Sequence, residues 1–552
     1  MLPLIIIASG LLLSFQNCSG SSEFKVNSTA SVPASQNAPS PSTSRGPSSN
    51  AQIVLNAMAN PLWTVTLEDV GTNLVWYFNL NQSLFTQGLQ TTGARVVRWP
   101  GGSQGDEYHW AGQTYSSNSP ALNQPTYCSG SSPVVIQAPY ANGWSYLNSL
   151  NTPATPLEIA VTLNYGTSAD CSKGGDPAEA AAWVKSALQH GNNVKYWTVG
   201  NEVFGGNVAN GGWEFDYHDK NPVAISVNGV SGIAKSGDAL TYAYYLKQYY
   251  QQIKAVNPNA QVGAVILGGT GNWSCCGGTG NDSTVLATKA YDFVEVHIYP
   301  EHDGQESDSY LLNTGPATVT ATINSVKAEL AAAGVPNTPI MVGEFNSVNA
   351  MPGKQSLSIV NGLFAGMIMG EMLNDGVSIA TQFLVMSGKV TTGNNSSSLY
   401  GFQNFGTYDD IISPATVPLE PQGSAIPAGT VMPSGWAHNL VAQFARTGNQ
   451  IYPMSVSTSI SSVMAYGASQ NQGYVMMLFN LSENAASTVT VGVSGAVNPT
   501  YNATLLTYGK AQYDNSQNNI WTGPVSTNLG SVNSVGFSVT LPPWSMTVLT
   551  LQ

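Results

Sequence analysis

Trp197-Thr198-Val199-Gly200-Asn201-Glu202 and Ile340-Met341-Val342-Gly343-Glu344-Phe345-Asn346 are the two stretches on which the reading of this 552-residue chain turns. Each is an apolar, strand-like run that reaches a glutamate at a turn. Each therefore predicts a buried strand that delivers an acid at its carboxyl end.

Outward from these two runs, strand-like and helix-like segments alternate. Strands are predicted at Leu74–Phe78, Ala94–Trp99, Leu157–Leu163, Val194–Val199, Gln261–Leu267, Phe293–Tyr299, Ile340–Phe345 and Val377–Val385. Helices are predicted at Ser83–Thr92, Pro177–His190, Ala239–Val256, Val319–Ala333 and Leu357–Leu373, with a last one at Gly435–Ala445. Strands separated by helices pair in parallel through right-handed crossovers, and eight such units most economically close on themselves. The expected fold is α/β, a (β/α)8 TIM barrel over residues 68–449. Past about Gln450 the pattern changes to short alternating strands, at Ser461–Tyr466, Tyr474–Phe479, Ser487–Val493, Ala503–Thr507 and Ser545–Leu551. These predict a C-terminal antiparallel β-sandwich over 450–552, to which residues 51–67 are expected to add a strand.

Hydrophobic residues make up 42% of the chain, enough for a sizeable core. Only 9% are charged, with 17 basic against 30 acidic side chains, and the net charge of −13 makes nucleic acid and anionic membranes poor partners. The polar surface must instead come from Asn, Ser, Thr, Gln and Gly, which suits a neutral polymer as partner. Met1–Phe15 is apolar but short for a membrane span, so residues 1–18 are expected to be an export signal. Cys18 resembles the lipidated cysteine of a bacterial lipoprotein, although Phe15-Gln16-Asn17 departs from the usual small-residue pattern. The expected location is secreted or at the cell surface. Residues 19–50, mostly Ser, Pro, Ala, Asn and Thr, predict a disordered linker. Of the remaining cysteines, Cys128 with Cys171 is the simplest disulfide pair. Cys275 and Cys276 are neighbours whose Cα atoms lie about 3.8 Å apart, below the usual disulfide range, so two thiols without a mutual bond are expected there.

Strands four and seven face each other across a closed barrel, so Glu202 and Glu344 are expected to meet at its mouth, on the face where such barrels carry their sites. Two carboxyl groups so placed can cleave a glycosidic bond: one protonates the leaving oxygen while the other attacks or hydrates the anomeric carbon. Gly200-Asn201-Glu202 and Gly343-Glu344-Phe345-Asn346 resemble the endings of strands four and seven in clan A glycoside hydrolases. Arg98-Trp99-Pro100-Gly101-Gly102, with Tyr108-His109-Trp110, resembles the loop after strand two of α-L-arabinofuranosidases and their relatives, and Val296-His297-Ile298-Tyr299 resembles the His-x-Tyr of strand six. The closing strand Leu541–Leu549 is similar to that of the sandwich appended to these barrels.

The resemblance implies a retaining glycoside hydrolase in which Glu202 is the acid/base and Glu344 the nucleophile, acting on oligo- or polysaccharide glycosides without cofactor or metal. Arabinofuranosides are favoured, with xylosides, glucuronides and β-glucans behind them. It further implies that Asn201 bonds a sugar hydroxyl, that Arg98 holds Glu344 ionised, and that His297 and Tyr299 orient the nucleophile. Trp99, Tyr108 and Trp110 would offer apolar faces to sugar rings. Glu202 is expected to have a raised pKa so that it stays protonated until it donates. Glu295 shares the inward phase of His297 and Tyr299, and a buried pair within the barrel is its plainest role. The loop Ser103–Glu107 and the Cys275-Cys276 segment depart from the arabinofuranosidase pattern. The rival class is a noncatalytic glycan-binding protein on a hydrolase-like barrel.

Overall fold

The computed structural model describes residues 51–552 apart from 77–81, 113–124, 137–142, 154, 193, 388–390, 393–404, 414–425, 458–461, 517 and 519. The export signal, the linker and Cys18 lie outside the described residues. Eight parallel strands close into a barrel in chain order: Gly71–Asn73, Val96–Trp99, Glu158–Leu163, Val194–Val199, Gln261–Val265, Phe293–Ile298, Ile340–Phe345 and Ile379–Gln382. The fold class read from the periodicity is thus the one observed, with one shift of register. The first barrel strand is Gly71–Asn73, ahead of the predicted Leu74–Phe78; Tyr77 and Phe78 lie outside the described residues. Gly71–Asn73 takes its pairing from Val96–Arg98 on one edge and Thr381–Gln382 on the other, while Leu74, Val75 and Trp76 are buried beyond its end.

Alternation along the strands divides the barrel interior into levels. Val96, Ala160, Phe293, Met341 and Ile379 form an apolar floor with Tyr196 packed against it. Two residues further along, the same strands carry Arg98, Thr162, Glu295 and Thr381, all fully buried, so a polar level sits directly above the floor. Side chains of the opposite phase, such as Val97, Ile159, Trp197, Val294 and Val342, join the helices in one large core. Helix Ala239–Val256 is capped by the Asp238 carboxylate, which accepts from the Thr241 amide, and helix Pro177–Gln189 by Asp176 with proline in its first turn.

Two sheets face each other in the C-terminal part. One has four strands, Met454–Val456, Ala51–Asn56, Ser487–Ser494 and Phe537–Leu541; the other has seven, centred on Gly473–Asn480 and Ser545–Leu551. Ile53, Leu55, Met476, Leu478, Val489, Val491 and Leu551 fill the space between them. Ala51–Asn56 pairs parallel with Ser487–Ser494, and Trp63–Thr64 pairs with Gln450–Tyr452, so the segment before the barrel contributes to both sheets. The larger sheet rests on barrel helix Ile359–Asn374, where Gly370 meets the ring of Tyr466 so closely that a Cβ would strike it. Tyr466 also donates to Glu371 Oε1 at 2.8 Å, and one continuous core runs from barrel to sandwich. Cys128 and Cys171 form a disulfide. Among the described residues, no helix is long and apolar enough to cross a membrane.

Candidate active site

Strand four ends at Val199, and Gly200-Asn201 carries the chain over the barrel rim to Glu202, which opens the short turn Val203–Gly205. Strand seven reaches the same place by a different device. Val342 pairs with Val296 but Glu344 pairs with His297, so Gly343 is an extra residue, a β-bulge. Strict alternation would give Met341 and Gly343 the inward phase and turn Glu344 outward. The bulge returns Glu344 to the phase of His297. Glycine is required there because a Cβ would fall on the Glu295 carboxylate.

Arg98, 1% exposed, ties the two strands together. Its Nη1 donates to Glu344 Oε1 at 2.8 Å and to Asn73 Oδ1 at 3.1 Å, its Nη2 donates to Asn201 Oδ1 at 2.8 Å, and its Nε lies 2.8 Å from Glu295 Oε1. The other oxygen of Glu344 accepts from the Tyr299 hydroxyl at 2.9 Å. His297 stands between three carboxylates: Nδ1 is 2.8 Å from Glu202 Oε1 and 3.7 Å from Glu344 Oε2, and Nε2 is 3.1 Å from Glu295 Oε1. Trp213 Nε1 donates to Glu202 Oε2 at 2.7 Å. One carboxylate oxygen each of Glu202 and Glu344 and one ring nitrogen of His297 all lie within 4.8 Å of one another.

Behind this face lies a second set of acids. Glu214, fully buried, accepts through Oε1 from the Asn201 amide at 2.9 Å, the Ser103 hydroxyl at 2.9 Å and the Glu202 backbone N–H at 3.3 Å. Asp106 accepts from the backbone N–H groups of Asn201 at 3.0 Å and Tyr165 at 2.9 Å. The backbone N–H groups of Asn201 and Glu202 are thus held by carboxyl groups, while that of Gly200 donates to the Leu163 carbonyl at 3.0 Å.

No family model matches the chain, and no curated protein matches it in sequence. Solved structures match it by shape. The fold is one shared by known glycoside hydrolases. An α-L-arabinofuranosidase from Thermotoga maritima, solved with arabinose, aligns with a TM-score of 0.65 at 14% identity over 91% of this chain and 99% of that one. A bifunctional glucanase-xylanase from a metagenome library gives 0.58 at 14% over 91% and 99%, and a Paenibacillus polymyxa xyloglucanase of family 44 gives 0.57 at 11% over 92% and 100%. At such identities the likeness is one of architecture: a glycoside-hydrolase-type barrel with an attached sandwich.

On this hydrolase-type barrel, six of the nine residues singled out in the sequence come together: Glu202, Glu344, Arg98, Asn201, His297 and Tyr299. Trp99, Tyr108 and Trp110 do not. All three are buried, at 0, 2 and 4% exposure, Trp99 edge-on to Tyr108 and Trp110 stacked on Trp183 at 6.1 Å. An aromatic ring enclosed by other rings has no face to offer a sugar, so these are core residues and the expectation of sugar platforms is corrected. Arg98 is likewise enclosed and acts on Glu344 rather than on a ligand. Both ends of the Asn201 amide are engaged by protein, leaving one amide hydrogen for a sugar hydroxyl.

The electrostatics also differ from the expectation for Glu202. Burial pushes its carboxyl up, but the hydrogen bond and charge of His297, the Trp213 indole and the Arg98 charge outweigh burial, and its pKa lies below the ordinary glutamate value. The raised pKa anticipated from its role is not observed. Burial disfavours a charged His297, yet the Glu344, Glu202 and Glu295 carboxylates together hold its pKa up to about 10. Burial, reinforced by the Asp106 and Glu202 charges, pushes Glu214 well above the carboxylate range. Burial likewise brings Asp106 up to about 7 despite its two backbone donors. Glu214 and Trp213 lie in the segment after Glu202, where no periodicity marked them. Asn73, which donates to the Gly343 carbonyl at 2.9 Å, was hidden by the misplaced first strand. Only Glu295 carried a signal, its shared phase with His297.

Proposed function

We propose that this chain is a retaining glycoside hydrolase, with Glu344 as nucleophile and Glu202 as acid/base, acting on neutral oligo- or polysaccharide glycosides. The observation that carries the reading is that one oxygen of each carboxyl group lies within 4.8 Å of the other, an approach that suits direct attack on a shared anomeric carbon. Retaining enzymes place their carboxyls about 5 to 5.5 Å apart, whereas inverting enzymes leave room for a water at about 6.5 to 9.5 Å. The division of labour follows from the partners. Glu344 accepts from Arg98 and Tyr299, one donor on each oxygen, so its carboxylate is fixed for attack. Glu202 keeps the larger exposure of the two, 17% of its side chain against 8%, as a group that meets first a leaving oxygen and then water.

An arabinofuranoside is the preferred substrate, supported by the Arg98–Gly102 loop and by the architecture shared with arabinofuranosidases. The apolar leader supports an exported enzyme, secreted or held at the surface through Cys18. Incubation with a 2-deoxy-2-fluoro glycosyl fluoride should trap a covalent sugar on the peptide carrying Glu344. Screening aryl glycosides would identify the sugar. Glu344→Ala should lose at least about 10⁴-fold in turnover while remaining folded. A chain that binds glycans, takes no label and hydrolyses no glycoside would be the noncatalytic alternative, and retained turnover in Glu344→Ala would refute the assignment of the nucleophile.

A further inference from the structure

Cys275 and Cys276 sit in the loop that follows strand five, on the same barrel face as Glu202 and Glu344. They end the short turn Trp273–Cys276, which Asn272 caps by accepting from the Ser274 N–H and which Gly277 closes in the left-handed conformation. Their Cα spacing argues against a bond, but their side chains converge, with the two Sγ atoms 2.6 Å apart. Sulfur atoms that close are far inside ordinary nonbonded contact and near the separation of about 2.05 Å at which they join. Cys275 is an exposed residue and Cys276 is 8% exposed, so the pair lies at the surface.

The turn is packed against the loop that carries Glu202. Trp273 meets Phe204 at 6.1 Å between ring centroids, and Phe204 meets Trp213 at 6.4 Å, the residue whose indole donates to Glu202. Gly277 lies against Gly206, where even a Cβ would come within 3.2 Å of the Gly277 carbonyl. A change in the stiffness of the cysteine turn therefore reaches the acid loop through two ring contacts and one backbone contact.

We propose that Cys275 and Cys276 are a redox-active modification site, oxidised by thiol–disulfide exchange to a disulfide between sequence neighbours that stiffens the turn bracing Glu202. The oxidant is a small disulfide of the glutathione class. The Cys275 thiolate attacks one of its sulfurs, releasing one thiol and leaving a mixed disulfide. The Cys276 thiolate then attacks the Cys275 sulfur and expels the second thiol, so two cysteine thiols lose two electrons and two protons while the oxidant gains them. The exposure of Cys275 makes the first step accessible, and the neighbouring thiol makes the second intramolecular. Cys128 and Cys171, joined elsewhere, take no part.

The test uses the full chain, treated first with a mild reductant and then with oxidised glutathione, followed by alkylation and peptide mass analysis. The tryptic peptide spanning 255–289 holds these two cysteines and no others. It should appear unalkylated and two hydrogens lighter than the dithiol, and should take two alkyl groups after re-reduction. Amide exchange at Val203–Gly206 should be severalfold slower in the oxidised chain, and the Cys275→Ser/Cys276→Ser variant should exchange at the reduced rate with or without oxidant. Two alkylated thiols after oxidation, a lasting glutathione adduct, a link to another chain, or equal exchange rates in the two redox states would overturn the proposal. None of these readouts depends on the reaction assigned to Glu202 and Glu344.

Discussion

Replacing Arg98 by methionine tests the network on which the arrangement of the two glutamates depends. The substitution keeps most of the apolar stem but removes the cation 2.8 Å from both Glu344 and Glu295, along with bonds to Asn73 and Asn201. Glu295 is then a carboxylate with no exposed side-chain surface, left with Thr198 and His297 as partners. Removing one member of a buried ion pair costs about 3 to 5 kcal/mol because the other is stranded. Two lost bonds to neutral amide oxygens add about 1 kcal/mol each. Arg98→Met should therefore lose about 5 to 7 kcal/mol of unfolding free energy in a urea titration at pH 7. That is a large share of the roughly 5 to 15 kcal/mol that typically holds a domain folded. If the stranded charge is the cause, Glu295→Gln, harmful alone, should return about 2 kcal/mol when added to Arg98→Met, a coupling read from a double-mutant cycle. A loss below about 1 kcal/mol for Arg98→Met, or strict additivity of the two changes, would refute the argument.

Gly343→Ala should cost about 2 to 3 kcal/mol, because the new Cβ displaces Glu295 from Arg98 and undoes the bulge that aims Glu344; an unchanged urea midpoint would count against the bulge. Trp213→Phe removes the 2.7 Å donor to Glu202, one of the interactions that lower its pKa, so the Glu202 carboxyl should titrate about 1 pH unit higher in a carbon-13 NMR titration; an unmoved or lowered midpoint would contradict the role given to that hydrogen bond. Glu214 is held neutral in the folded chain by its raised pKa, so its contribution to stability is present below the unfolded value and falls as pH rises above it toward the folded value. Glu214→Gln, whose carbonyl can keep all three accepted bonds, should be within about 1 kcal/mol of the parent at pH 5 and gain on it at pH 8; a widening deficit at pH 8 would show that Glu214 is ionised.

The barrel was legible because its signals are local. Val194–Val199, Ile340–Phe345 and Ala239–Val256 begin and end where hydrophobic phase and turn residues put them. Glu202 and Glu344 were marked by the turns that end their strands, and their meeting followed from topology, since strands four and seven lie across the mouth once eight strands close. The first strand failed because the aromatic run Leu74–Phe78 has the stronger strand propensity, while Gly71–Asn73 is fixed by neighbours distant in the chain. Trp99, Tyr108 and Trp110 failed for a related reason: an aromatic beside a catalytic-looking motif has the same composition whether it faces a ligand or Trp183, and only packing distinguishes them. The Gly343 bulge and the acids behind the site, Glu214 and Asp106, depend on contacts across the barrel that no single run of residues encodes.

The lowered pKa of Glu202 bears on how a proton reaches a leaving group. His297, its pKa held up to about 10, carries a proton aimed from Nδ1 at Glu202 Oε1 across 2.8 Å, and the strongest of the charges that keep it there is Glu344. On the retaining reading, that charge disappears during the first step as the Glu344 carboxylate becomes an ester to the anomeric carbon. His297 thus loses its strongest electrostatic hold at the moment Glu202 must supply a proton, and the hydrogen bond between them is already the path of transfer. Arg98 and Glu295 keep their charges, so the change falls on the His297–Glu202 pair rather than on the frame that positions it. When water attacks the ester, the Glu344 carboxylate reappears and raises the affinity of His297 for a proton, which Glu202 has just taken from that water. An acid that is ionised at rest is therefore compatible with its role, because the neighbouring imidazolium stores the proton and formation of the covalent bond releases it.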